Sequence, residues 1–219
     1  CTLGPIHGGR ALNPITAMTA TELTAAIRAR RVSSREALAA HLERVERFNP
    51  DLNAIVTLNP LAEEEARRAD ETLARGEPLG PLHGLPMTIK DCFETAGLLT
   101  TNGFEGTRDY VPERDAPVVA KIRAAGAVII GKTNIPSLAG DSQTFNSIFG
   151  ITRNPWRLEV SPGGSSGGEA AALAARMTPL GIGSDIGGSI RQPSHCCATF
   201  GLKTTEHLVS TAGYLEGRG

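Results

Sequence analysis

Residues 161–191 place two glycine-rich turns at either end of a short Ala-rich segment, and this arrangement constrains the fold more than any other feature. The first turn reads Gly-Gly-Ser-Ser-Gly-Gly at 163–168, and the second reads Gly-Gly-Ser at 187–189. Between them the sequence predicts a helix over 169–176 and a strand over 180–183. Glycine lets backbone N–H groups converge on one point, where a neighbouring serine hydroxyl can act as a nucleophile.

Each candidate for a catalytic role, in this region and at Lys90 further upstream, also has a purely structural explanation. Residues 163–168 alone could form a flexible turn or an anion-binding helix N-terminus. Ser189 alone could be an ordinary turn serine, and Lys90, which ends the apolar run 85–89, could extend its amine to the surface. The joint occurrence of two such serines and one such lysine favours a catalytic site.

The rest of the chain alternates helical patterns with short aliphatic strands. Capping-box patterns begin at Thr19 and Ser33, and Asn49-Pro50 is expected to end the second helix. The predicted helices cover 20–30, 34–48, 61–75 and 116–125, and the predicted strands cover 53–58, 86–90, 127–130 and 198–202. Residues 91–115 are expected to form a loop. This alternation predicts an α/β fold with a mostly parallel or mixed sheet, without an interdomain linker.

Composition excludes several function classes. A net charge of −1 does not indicate a surface that binds nucleic acid. The sequence contains no run of eighteen apolar residues, so it predicts no membrane-spanning helix. The four cysteines, at 1, 92, 196 and 197, form no Cys-x-x-Cys pair, so we expect free thiols in a reducing cytosol and no metal site. The N-terminus resembles no signal peptide and lacks a starting Met, so we expect a processed chain or part of a longer one.

Residues 126–133 match the phosphate-loop pattern G-x-x-x-x-G-K-[ST] letter for letter. The four variable positions are Ala-Val-Ile-Ile, which favour a buried strand rather than an open loop with its amides turned to phosphate. Pro136 disfavours the long helix that would have to follow. The sequence therefore predicts a strand that ends in a turn, not a nucleotide site.

Six blocks, in order, resemble the amidase signature family over roughly residues 20–210. They are Gly-Leu-Pro-Met-Thr-Ile-Lys-Asp at 84–91, Gly-Lys-Thr-Asn at 131–134, Asn-Pro-Trp at 154–156, the two serine turns at 163–168 and 187–191, and Gly-Leu-Lys at 201–203. The resemblance implies an α/β/α fold with a mixed, largely parallel sheet. Because family members continue past Gly219, it also implies that residues 1–219 are the N-terminal portion of a single amidase domain, incomplete at its C-terminus. Thr204 stands where relatives have proline, and His207-Leu208 where they have Gly-Arg, which leaves the local turn open.

The same resemblance implies a Ser–cis-Ser–Lys triad. Ser189 would be the nucleophile, Ser165 the bridging serine after a cis peptide bond, and Lys90 the general base. A neutral Lys90 can take a proton from Ser165, which takes one from Ser189. Because the amine must be neutral, we predict that burial lowers the pKa of Lys90.

The backbone N–H groups of Ile186, Gly187, Gly188 and Ser189 are the candidate oxyanion hole, since two glycines let the chain curl its amides inward. Ser166 is expected to support the site as a hydrogen-bond donor to Lys90 or Ser165. Asp185 and Arg191 are expected to form an ion pair that holds the turn, the alternative being a solvated surface contact. His195 is interpreted as a packing or pocket-wall residue, and it is the next base to test if the triad fails.

The predicted function is hydrolysis of a carboxylic amide through an acyl-serine intermediate. The alternatives are the amidase component of a tRNA-dependent amidotransferase, which needs a partner protein, and a catalytically incomplete fragment. We expect no cofactor, no metal, a small-molecule amide substrate and a cytoplasmic location, and a homodimer is an open question. The identity of the amide does not follow from the sequence.

Overall fold

A computed structural model describes residues 13–215 as seven helices and six strands, with two short 3-10 turns. The helices are α1 (Pro14–Ala17), α2 (Ala20–Arg28), α3 (Ser34–Leu52), α4 (Ala62–Ala74), α5 (Pro117–Ala124), α6 (Gly167–Ala174) and α7 (Arg191–Cys197). The strands are β1 (Ile55–Leu58), β2 (Pro86–Lys90), β3 (Val128–Thr133), β4 (Phe145–Asn146), β5 (Gly150–Ile151) and β6 (Gly181–Ile182). Among these residues, no helix has the length and apolar character needed to cross a membrane.

Capping chemistry fixes the starts of α2 and α3. The side chains of Thr19 and Ser33 accept from the backbone amides of Glu22 and Glu36, and each glutamate bonds back, so both predicted capping boxes are confirmed. The predicted end of α3 at Asn49-Pro50 is wrong. The helix runs on to Leu52, because Pro50 lies in its last turn, where the missing N–H costs only one late hydrogen bond.

One four-stranded sheet forms the centre, in the order β1-β3-β2-β6. Strand β1 is antiparallel to β3, while β2 is parallel to both β3 and β6. The core lies on both faces of this sheet. Val128 and Ile130 pack with α3, α4 and α6, whereas Ile129 packs with Met87, Ile89 and α5. The mixed, largely parallel sheet between two helical layers confirms the α/β/α prediction.

The segment that imitates a phosphate loop is strand β3, buried along its whole length. Gly131 is required there because a Cβ at this position would overlap the carbonyl oxygen of Thr57 in β1. Lys132 is fully buried and its Nζ lies 3.3 Å from Asp91 Oδ1, so it faces a carboxylate and not a phosphate. The prediction of a strand is confirmed, but its predicted end at residue 130 is wrong, because the strand continues through Gly131 and Lys132 to Thr133.

The predicted strand over 198–202 is wrong. Helix α7 occupies residues 191–197 instead and ends at Ala198, which adopts a left-handed conformation with φ of 54°. The residues that follow have no regular structure, and Phe200 and Leu202 expose their apolar side chains. Sequence periodicity could not separate a short apolar strand from an apolar segment after a helix.

The described cysteines, Cys92, Cys196 and Cys197, are free thiols, as expected, while Cys1 lies outside the described residues. Within residues 13–215 no group of three His, Cys, Asp or Glu side chains is arranged to hold a metal ion.

Candidate active site

Lys90 is the last residue of β2, and its side chain is fully buried. Its Nζ is hydrogen-bonded to Ser165 Oγ at 2.6 Å and to Ser184 Oγ at 2.9 Å. The strand thus delivers an amine to the point where two serine-bearing loops meet. Two hydroxyl groups, and no carboxylate, are its hydrogen-bond partners within the described residues.

Burial lowers the pKa of Lys90 from its ordinary value of 10.5 to about 8, because the ammonium form loses its hydration. The nearby Cys92, Glu169 and Asp185 act in the opposite direction, since negative charge favours the ammonium. The direction agrees with the one predicted from the sequence. An amine with such a pKa is neutral near pH 7 in a far larger fraction of molecules than an ordinary lysine amine is, which suits it to accept a proton.

The peptide bond between Gly164 and Ser165 is cis. Gly164 donates its amide to Gln192 Oε1 at 2.8 Å, which anchors this bond to helix α7. A Cβ at Gly164 would lie 2.8 Å from the backbone of residues 141–143, so the loop requires glycine here. Gly163, at φ of 85°, requires it for conformational reasons. The turn before α6 therefore packs between helix α7 and the backbone of residues 141–143.

Ser189 is half-buried in the second turn, two residues before α7 begins. The amide of Ser166 donates to the carbonyl oxygen of Ser189 at 3.0 Å, so the fold brings the two serine turns side by side. Among the described residues, no hydrogen bond joins the hydroxyl groups of Ser165 and Ser189. The structure thus places Lys90 and Ser165 in direct contact and Ser189 beside them through the backbone.

The loop over 185–191 is organised around the carboxylate of Asp185. This carboxylate accepts from the amides of Gly188, Ile190 and Arg191 and pairs with the Arg191 guanidinium at 2.8 Å. The Arg191 guanidinium, followed by the three amides, holds the pKa of Asp185 well below its usual range, although burial opposes this. The ion pair predicted to hold the turn is present.

Three of the four candidate oxyanion-hole amides are available. Within residues 13–215, the N–H groups of Ile186, Gly187 and Ser189 donate to no other group, whereas that of Gly188 is taken by Asp185. Free amides in a glycine-containing turn can bind a developing negative charge. The geometry favours Ile186, Gly187 and Ser189 for that task over Gly188.

The Asp185 side chain should matter far more to stability than its arginine partner. Asp185 is 1% exposed and Arg191 is 57% exposed. Replacing Asp185 by alanine leaves three amides, two of them partly buried, without their acceptor and is expected to lower the free energy of unfolding by about 1–3 kcal/mol. Replacing Arg191 by alanine removes a partner that is exposed to solvent and should cost much less stability. Urea unfolding of both variants checks this expectation, and equal losses would contradict it.

Two expectations about supporting residues need correction. The hydroxyl of Ser166 contacts neither Lys90 nor Ser165; it donates to the Ser184 carbonyl at 3.2 Å and accepts from the Ser184 amide. It therefore joins the two loops rather than the triad. His195 is exposed on α7 and does not line the cleft beside the site, so its interpretation as a packing or pocket-wall residue is wrong.

Sequence reasoning missed Ser184 and Tyr214. Ser184 Oγ contacts the Lys90 amine and lies 3.2 Å from the Tyr214 hydroxyl. Tyr214 in turn packs edge-on against Phe93, with ring centroids 5.4 Å apart. Ser184 lies within the glycine-rich segment that the sequence singled out, so its position was a usable signal. Tyr214 comes from the far end of the described chain and gave none.

A cleft of about 1020 Å³ opens beside these residues. Ser166, Ser184, Ile186 and Ile190 line it, together with apolar side chains such as Phe200. Ser189 itself is not among the lining residues, but residues close to it on both sides are. The cleft has the size of a small-molecule site next to the candidate nucleophile.

Comparisons with known proteins find similar sequences and similar folds. The sequence model of the family described as Amidase matches residues 36–218. The chain is 50% identical over 196 residues to a glutamyl-tRNA(Gln) amidotransferase subunit from Acidothermus cellulolyticus, covering 89% of this chain and 39% of that protein.

Solved structures of similar fold include two hydrolytic enzymes. A peptide amidase in complex with chymostatin superposes with a TM-score of 0.87 at 37% identity, over 92% of this chain and 43% of that one. A 6-aminohexanoate cyclic dimer hydrolase superposes with a TM-score of 0.75 at 35% identity, over 84% and 37% of the two chains. The chain therefore spans about two fifths of the length of the relatives it matches.

Proposed function

The chain belongs to the amidase family, and on that premise we propose that it cleaves the C–N bond of a carboxylic amide through an acyl-enzyme on Ser189. One observation carries this proposal: the fully buried amine of Lys90 lies 2.6 Å from the hydroxyl of Ser165. Such an amine costs free energy unless its neutral form is used. The second serine turn, which holds Ser189, lies directly alongside.

Activation of the nucleophile proceeds from Lys90 outward. The neutral amine of Lys90 takes the proton of the Ser165 hydroxyl, and Ser165 takes the proton of Ser189 as Ser189 Oγ attacks the amide carbonyl carbon. The Ser184 hydroxyl also accepts a hydrogen bond from the amine, at 2.9 Å, and so helps to hold it beside Ser165. The relay requires the hydroxyl of Ser189 to approach that of Ser165 in the reacting complex, since no hydrogen bond joins them here. Such an approach is common, because catalytic hydrogen bonds often tighten only when substrate is bound.

The negative charge on the carbonyl oxygen then needs donors that are already in place. The amides of Ile186, Gly187 and Ser189 supply them, and Asp185 fixes the loop that presents them. Loss of one such donor typically costs about 10²–10³ in rate.

The same relay in reverse protonates the leaving nitrogen, so that the amine departs and an ester on Ser189 remains. A water molecule, deprotonated through Ser165 and Lys90, hydrolyses that ester and restores the serine. An amide requires this help at both ends, because its carbonyl is a poor electrophile and its nitrogen a poor leaving group.

A second candidate is amide transfer in place of hydrolysis. The chain is similar to amidotransferase subunits that are named for glutamyl-tRNA(Gln), which favours a role as one component of a larger assembly. In that case the acyl-enzyme would form from an amide donor, and the released ammonia would be used by a partner. A cytoplasmic location and a homodimer stay predictions.

Ammonia and carboxylate release separates the two candidates. We expect the chain to release both products from simple aliphatic or aromatic amides without any partner, and Ser189→Ala to release neither. Activity that is restricted to glutamine as the amide, and that requires a partner protein, would favour amide transfer. An inactive but folded chain would favour the catalytically incomplete fragment.

The pH dependence of acylation should report Lys90. Because the base must be neutral, the rate is lost as pH falls through about 8, and below that point it should fall about tenfold per pH unit. The rate should level off about one pH unit above the pKa. Stopped-flow labelling of Ser189 between pH 6 and pH 10 measures this pH dependence of the acylation rate. A rate independent of pH over this range would contradict the role of Lys90.

A further inference from the structure

Glu169 is a buried carboxyl group close to the candidate site, and the mechanism above does not use it. It lies in the first turn of α6, four residues after Ser165. Its two oxygens accept hydrogen bonds from threonines of two neighbouring strands, Thr88 Oγ1 in β2 and Thr133 Oγ1 in β3, the latter at 2.9 Å. Two hydrogen bonds of this kind hold a side chain in one rotamer.

A third strand completes the enclosure. Gly181 of β6 pairs with Thr88, and a Cβ at Gly181 would overlap the carboxyl group of Glu169. The glycine therefore leaves the space that the carboxyl group fills. Three adjacent strands close around one acidic side chain that originates from the helix above them.

Lys90 lies on the same face of the sheet. Alternate residues of a strand face the same side, so Thr88 and Lys90 of β2 share the face that Glu169 covers, and Lys90 pairs with Thr133 across to β3. The charge of Glu169 favours the ammonium form of Lys90. Burial in turn raises the pKa of Glu169 to about 7, against the effect of Thr88, Thr133 and Lys90.

We propose, on the basis of the proposed function, that Glu169 is a positioning residue for the Lys90–Ser165 pair. Its carboxyl group ties the first turn of α6, which directly follows Ser165 and Ser166, to the strand that ends in Lys90, and it sets a negative charge near the Lys90 amine. Alignment of the two groups and the proton affinity of the base thus depend on one side chain.

The other ionisable groups around Lys90 are accounted for separately. Cys92 follows it at the end of β2, and Asp185 approaches from the second serine turn. Asp91 and Lys132 form a buried pair on the opposite face of the sheet. Replacement of Glu169 leaves all four in place, so a change in Lys90 can be assigned to Glu169.

Carbon-13 NMR of labelled lysine side chains tests the proposal without requiring activity. The chain has only four lysines, at 90, 121, 132 and 203, and Lys90→Met assigns the relevant signal. In Glu169→Gln, which keeps the shape but removes the charge, Lys90 should lose its proton about one pH unit lower than in the unchanged chain. Glu63→Gln, at an exposed position of α4, is the matched control and should leave the midpoint unmoved.

An unmoved Lys90 midpoint in a folded Glu169→Gln variant would overturn the proposal, even if its melting temperature fell, because a purely structural role predicts that result. If Glu169→Gln does not fold, the spectra of the unchanged chain decide. Coupled groups titrate in shared steps. The Lys90 signal should then respond both to its own titration and to that of Glu169, in two steps, and a single step would overturn the proposal.

Failure of this inference is distinguishable from failure of the proposed function. A Ser189 adduct with a serine-reactive probe, together with an unmoved Lys90 midpoint, contradicts the role of Glu169 alone. A moved midpoint in a folded chain that forms no adduct supports the role of Glu169 and contradicts the function.

Discussion

Replacement of Lys90 by methionine is expected to slow the acylation of Ser189 by about 10²–10⁴-fold, the range that loss of a general base produces. The methionine side chain is similar in length to that of lysine and can fill the buried site, but it cannot accept a proton. The second-order rate constant for labelling by a fluorophosphonate at pH 8 measures the effect. Lys121→Met, at an exposed position of α5, is the control and should label at the unchanged rate.

The same variant should be no less stable than the unchanged chain at neutral pH. A pKa lowered from 10.5 to about 8 means that burying the ammonium form costs about 3 kcal/mol. The sign follows because the folded pKa is depressed: the cost is present below about pH 8 and disappears as pH rises towards 10.5. An unfolded Lys90→Met, or a folded one that labels at full rate, would contradict the assignment of Lys90 as a base kept for chemistry.

Replacement of Ser165 by alanine should have an effect of similar size, because the hydroxyl that joins Lys90 to Ser189 is lost. We expect a fall of about 10²–10⁴-fold in labelling and in amide hydrolysis. Ser166→Ala is a stringent control, since it removes the same group one residue further on. Within the described part of the chain, the Ser166 hydroxyl is hydrogen-bonded only to the backbone of Ser184, so its loss should cost far less.

Equal losses in the two serine variants would contradict the relay and indicate that the turn tolerates neither substitution. The double variant Lys90→Met with Ser165→Ala separates these explanations further. Residues that act as one unit give non-additive effects, so the double variant should be scarcely slower than either single one. Additive losses would mean that the two groups act independently.

Local chemistry in the sequence predicted a large part of this fold. The capping boxes at Thr19 and Ser33 and the buried strand 86–90 depend on neighbouring residues, and each formed as predicted. A local property also argues against a phosphate loop at 126–133, because the β-branched residues Val-Ile-Ile favour a strand. Such features need no knowledge of distant partners.

The errors arose where distant contacts decide. Residues 198–202 have a strand-like pattern but no neighbouring strand among the described residues to pair with, and α7 takes the preceding segment instead. The role of Ser166 depends on where the Ser184 backbone comes to lie. Tyr214 approaches Ser184 only because the last described residues return to the end of β2.

Much of the candidate site could be predicted through the resemblance, since Lys90, Ser165 and the loop over 185–191 lie in the blocks that resemble the amidase signature family. Glu169 was visible in the sequence only as a helical residue. Its significance comes from Thr88, Thr133 and Gly181, which lie on three different strands. No local pattern links such positions.

Intact-mass analysis after incubation with a serine-reactive fluorophosphonate, with Ser189→Ala measured alongside, tests whether Ser189 is the nucleophile. We expect a single adduct on the unchanged chain and none on the variant, both samples being shown to be folded by circular dichroism. That result would mean that the nucleophile and its amide donors are assembled within these 219 residues. No adduct on a folded chain, or an equal adduct on Ser189→Ala, would contradict the assignment of Ser189 as the nucleophile of this chain.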